Sequence, residues 1–126
     1  MTDYDFEDCR TRLRHATGVV LAAESQYQLA IEQAADSEAF YRIKLGESFE
    51  QFRAAGQAVE AAKIAAHAEC AVHSRARDVD AGTVKLRGEQ LEDARDSRRS
   101  LWRLVEWARG RDLAMAGSDQ RGETWP

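Results

Sequence analysis

The residues best equipped for chemistry lie late in the chain, where Arg95, Arg98, Arg99, Arg103, Arg109 and Arg111 are interleaved with Trp102 and Trp107. A guanidinium presents a planar fork of donors that matches a phosphate, and an indole offers a flat face on which an unpaired base can stack. These types in this pattern point to a nucleic-acid contact, with Arg95, Arg98, Arg99, Arg103 and Arg109 on phosphates and Trp102 and Trp107 against bases. A structural role competes with it. Leu101, Val105 and Ala108 would then face a core with the indoles flanking it, and the arginines would pair with Glu92, Asp96, Glu106 or acids of the first helix. The net charge of -4 favours the structural role, since a protein that coats nucleic acid is usually basic.

A second cluster, His67-Ala68-Glu69-Cys70-Ala71-Val72-His73, resembles a metal site in residue types. Structural zinc needs four ligands in tetrahedral array, and beyond this cluster only Cys9 and His15 could contribute, so no metal is expected. Cys70 with either histidine would also need a pocket, an orienting third group and oxyanion donors to act as a nucleophile. Glycines 46, 56, 82, 88 and 110 are scattered through helical pattern rather than gathered in a phosphate loop. The expectation is a protein with no catalytic residues, no cofactor and no small-molecule substrate.

The elements that must carry these residues read as helices. The single proline of the 126 residues is Pro126, so the strongest helix terminator is missing from the interior. In the first segment Phe6, Cys9, Leu13, Ala16, Val20, Ala23, Tyr27, Ala30 and Ala34 alternate three and four apart, which is a heptad seam that must meet a neighbouring helix. The next slots hold Ser37, Tyr41, Lys44 and Ser48, so a turn is expected near residues 35–37, with Asp36 and Ser37 capping a new helix and Leu45 to Ser48 as a competing turn. From Leu45 a second register runs through Phe49, Phe52, Gly56, Val59, Lys63, Ala66, Cys70, His73, Arg77, Asp80, Val84, Arg87, Leu91, Ala94, Arg98, Leu101, Val105 and Ala108. Gly82 and Gly88 put a weak point at residues 78–88, where the helix either continues or turns into a third one.

Beside that register lies another apolar stripe, Ala55, Ala58, Ala62, Ala65, Val72, Ala76 and Val79. One neighbour cannot cover both, so the pattern implies a bundle of three or more helices, with Phe49, Phe52, Val59, Val72 and Leu101 as anchors for protein interaction. The expected fold is all-α: an elongated antiparallel helical hairpin or coiled coil, two long helices with a possible third, inside an oligomeric helical bundle. Residues 1–116 would form one coiled-coil domain, with 117–126 a flexible tail whose Trp125-Pro126 end offers a docking peptide.

No apolar run approaches the roughly 20 residues that span a bilayer, and the acidic start lacks the basic and apolar parts of a secretion signal. Two cysteines are too few for a disulfide framework. With a reversal near Asp36, Cys70 sits roughly 9 Å too far along the axis to reach Cys9. A cytoplasmic protein without a membrane contact is expected, its partner a second copy or a helical protein, with nucleic acid as the alternative.

The segments Phe52 to Ala62 and Arg95 to Arg109 look like parts of small helical proteins encoded by bacteriophages of actinobacteria. The resemblance implies a coiled-coil accessory or host-takeover factor in the cytoplasm of an infected cell, or a replication or recombination accessory in the nucleic-acid case, with no catalytic residues to carry over.

Overall fold

The computed structural model describes the backbone of residues 6–124 and the side chains of residues 6–114. The described residues contain no strand and form three helices, α1 (Phe6–Ala54), α2 (Val59–Glu69) and α3 (Ala71–Thr124). They divide into two compact units, one joining the chain up to Glu24 with the chain from Gln90 on, the other formed by Ser25–Glu89. No helix among the described residues is long and apolar enough to cross a membrane.

The turn expected at residues 35–37 does not form, and neither does its competitor at Leu45 to Ser48, because α1 runs unbroken for 49 residues. The heptad alternation passes straight through the polar slots, where Tyr41 and Ser48 are buried and Ser37 and Lys44 half-buried. Three of them find partners on the facing helices, whereas Lys44 Nζ reaches Glu47 of α1 itself at 3.5 Å. Ser37 Oγ donates to Asp80, Tyr41 Oη meets His67 Nδ1 at 3.2 Å, and Ser48 Oγ donates to Glu69 Oε2 at 2.5 Å. A paired polar group can occupy a core slot at little net cost, whereas an unpaired one costs about 1–3 kcal/mol.

The pairs 37 with 80 and 48 with 69 show that, within the Ser25–Glu89 unit, α1 runs opposite to α2 and the first part of α3. The Arg77 guanidinium lies 4.4 Å from the Tyr41 ring centroid and 3.6 Å from Glu38, and Phe40 meets His73 edge to face at 4.9 Å. Ala30, Ala62, Ala66 and Cys70 fill the remaining core of this unit. Gly88 has a packing reason, since a Cβ there would lie 3.3 Å from the Tyr27 ring.

The reversal falls at residues 55–58. Gly56 has φ 96, its N–H donates to Arg53 O at 3.0 Å, and the Gln57 N–H reaches back to Phe52 O at 3.1 Å. This paired 5→2 and 6→1 closure is a Schellman motif with glycine in the left-handed position. It overturns the long second register at its start, because Gly56, Val59 and Lys63 are exposed while the positions from Ala66 on, through Cys70, His73, Arg77 and Asp80, are buried or half-buried.

The third helix also begins elsewhere than the sequence suggested. Residues 78–88 are helical throughout, and the break comes at Cys70, with φ -91 and ψ 12. The hydrogen-bond ladder still passes through it, from Cys70 N–H to Ala66 O at 3.0 Å and from Ser74 N–H to Cys70 O at 2.9 Å. Nor does the helix end before the expected tail, since α3 continues to Thr124. Gly117 and Gly122 each weaken a helix by only about 1 kcal/mol, and propagation from an existing helix needs no new nucleus. The Trp125-Pro126 peptide lies outside the described residues.

In the other unit Cys9, Val20 and Ala108 are fully buried, with Ala16, Leu91 and Val105 nearly so. The first seam and the later part of the second therefore lie where their periodicity puts them. Both cysteines are free and buried.

The two kinds of glycine separate experimentally. Gly56→Ala forces an L side chain into a left-handed conformation and should lower stability by about 1–2 kcal/mol. Gly46→Ala, mid-helix with open space around it, should raise stability by about 0.5–1 kcal/mol. Urea unfolding followed by circular dichroism measures both, and equal effects would contradict the turn.

Candidate functional site

The Arg and Trp side chains singled out by the sequence are split by the helix that carries them. Arg95, Arg98, Arg99 and Trp102 line one groove of 370 Å³ together with Leu13 and Thr17 of α1, within the unit of residues up to Glu24 and from Gln90 on. Trp107, five residues after Trp102, points about 140° around the helix from it, is exposed, and has the Arg111 guanidinium 5.0 Å from its ring centroid. Arg103 and Arg109 are exposed.

Part of the expected charge pairing is present. Arg95 reaches Glu24 at 3.5 Å and Glu92 at 3.1 Å, and Arg99 reaches Asp96 at 2.8 Å. Glu106, the other acid considered as a partner, forms no ion pair among the described residues. In the same unit, Ala16, Val19, Ala94 and Leu101, together with His15, Asp93 and Ser97, line a second, more apolar groove of 690 Å³.

The interaction anchors also divide. Phe49, Phe52 and Leu101 are half-buried, with Phe49 beside Leu45 and Ala66 in a groove of 380 Å³. Val59 and Val72 stand open to solvent. Of the second stripe, Ala62 is fully buried and belongs to the internal core, Ala65 is half-buried, and Val72 and Val79 are 73% and 61% exposed. Leu86, at 50% exposure, extends that row. Sequence reasoning stopped at Val79 and missed it, although Ala65, Val72, Val79 and Leu86 fall seven residues apart. Phe40 and Ile43 on α1 are further exposed apolar side chains of this unit.

The cysteine and histidine cluster is dispersed. His67 turns to Tyr41, and Glu69, Cys70 and His73 border a groove of 240 Å³ with Lys44, Glu47 and Ser48. No group of three or more His, Cys, Asp or Glu side chains among the described residues is arranged to hold a metal ion. Ser48 is buried and donates to Glu69, so its hydroxyl proton is committed to a contact that joins α1 to α2.

The class these observations define, among the described residues, is an all-α protein of three helices in which Ser37, Tyr41 and Ser48 of α1 are paired with side chains of α2 and α3. Comparison with protein-family models, curated proteins and solved structures gives no match.

The Ser48–Glu69 contact can be weighed directly. Ser48→Ala and Glu69→Ala should each destabilise the fold by about 1 kcal/mol, and the double variant should lose about 0.5–1 kcal/mol less than their sum. Urea denaturation of the four proteins closes the cycle; strict additivity would remove the contact from the account of how α2 is held.

Proposed function

We propose that this chain is a non-enzymatic interaction protein, an antiparallel coiled-coil hairpin that docks a helix of a second copy or of a helical protein partner. The observation that carries the reading is the row Val72, Val79 and Leu86, exposed by 73%, 61% and 50% and spaced seven residues apart on α3. A heptad row left in water is the half-interface of a coiled coil, and burying it gains about 25 cal/mol per Å² of apolar surface. The small core of the same unit supports the reading, since alanines contribute little burial and leave stability to be gained from association.

The resemblance to phage proteins fits this role: an accessory or host-takeover factor needs a surface for a helix of its target and no catalytic group. A cytoplasmic setting belongs to the same proposal.

Val72→Asp with Val79→Asp places two charges on the row without touching the buried positions. Light scattering should return a mass above the 14.1 kDa monomer for the unaltered chain. The double variant should return the monomer with its helical circular dichroism intact. A chain that is monomeric at every accessible concentration, and whose capture of helical proteins from a lysate ignores the two substitutions, would defeat the proposal.

A further inference from the structure

The groove beside Trp102 supports a function independent of the apolar row. Arg98 occupies a heptad slot between Ala94 and Leu101, where an apolar residue would ordinarily sit. It is half-buried, and no carboxylate pairs with it among the described residues. With no carboxylate partner among the described residues, the guanidinium keeps its fork of N–H donors open to an anion entering the groove. On either side, Arg95 and Arg99 have their guanidinium groups steadied by Glu24, Glu92 and Asp96. Those contacts are exposed and use only part of each fork, which leaves N–H donors for a further acceptor.

The groove also holds a flat apolar surface. Trp102 is 51% exposed and lines the groove together with Arg95, Arg98 and Arg99. Trp102 is four residues from Arg98 and seven from Arg109, so all three lie on one side of α3 and together span about three turns. An anion next to a planar ring is the chemistry of a nucleotide. In a duplex the base faces are covered by their neighbours, so only an unpaired base can lie against the indole.

We infer that this groove binds single-stranded nucleic acid, with Arg98 and the free donors of Arg95 and Arg99 on phosphates, Trp102 stacked on a base, and Arg109 contacting the strand further along. Trp107 takes no part, because it faces another side of the helix.

The test is fluorescence anisotropy of a labelled short oligothymidylate titrated with the full chain at a series of salt concentrations. Saturable binding is expected, weakening linearly with salt on a logarithmic plot, and Arg98→Gln should reduce the slope by about one. Trp102→Ala should weaken binding about tenfold, with Trp102→Phe restoring most of it. Trp107→Ala and Val79→Asp should leave it unchanged, so this inference and the helix-docking proposal fail separately. Absence of binding at the lowest salt by a chain with intact helical circular dichroism would overturn it. Equal affinity of Trp102→Ala and the unaltered chain, or equal competition by polyglutamate, would do the same, since either reduces the groove to unspecific charge.

Discussion

The stagger of α1 against its neighbours in the Ser25–Glu89 unit depends on polar side chains in positions where a coiled coil ordinarily puts leucine. Alanine rows pack nearly as well one turn out of place, because each contributes the same small surface. Hydroxyls and carboxylates do not tolerate this. Shifting α1 by one heptad would part Ser37 from Asp80, Tyr41 from His67 and Ser48 from Glu69 together, leaving several polar groups at the seam without partners. Among the described residues no buried side-chain nitrogen or oxygen lacks a hydrogen-bond partner. Register is thus fixed by the groups least suited to stabilising a core, in the manner of a single asparagine specifying the alignment of a zipper.

That arrangement also explains which parts of the fold were legible in the sequence. Periodicity identified the buried residues from Cys9 to Ala30 and from Ala66 to Ala108, because there the slots are mostly apolar or the neighbouring slots compensate. It failed between Ala34 and Val59, where Ser37, Tyr41 and Ser48 read as interruptions. A polar residue in a heptad slot has two explanations, the end of the seam or a partner across it, and a one-dimensional pattern cannot tell them apart. The partners lie 43, 26 and 21 residues away. Gly56 was misassigned for a related reason: its position fitted the heptad by coincidence, and only its positive φ identifies it as the cap of α1.

The candidate surfaces were partly legible for the opposite reason, since their residue types are conspicuous. Arg95, Arg98, Arg99 and Trp102 belong together in the structure as they do in the sequence, but α1 supplies Leu13 and Thr17 to the same groove, which no local motif announces. Trp107 shows the limit of reading by proximity in sequence. Two indoles five residues apart on a helix cannot face the same side.

The distribution of arginine pairing bears on why a chain with net charge -4 can still carry an anion site. Long-range repulsion from the acidic residues is screened beyond about 10 Å at moderate ionic strength, so it is the local environment of the groove that decides whether a phosphate can stay. There Asp96 and Glu92 hold Arg99 and Arg95 in place, restricting side chains that would otherwise lose considerable rotamer freedom on binding. Acids next to such a groove lower its net charge, yet they also preorganise its donors, and preorganisation lessens the entropic cost of binding. Arg98, without an acid of its own among the described residues, is left as the group with most to gain from a ligand. The same carboxylates that make this segment look like an ordinary salt-bridged helix face are therefore compatible with a binding role, because they constrain two arginines while a third has no acid partner among the described residues.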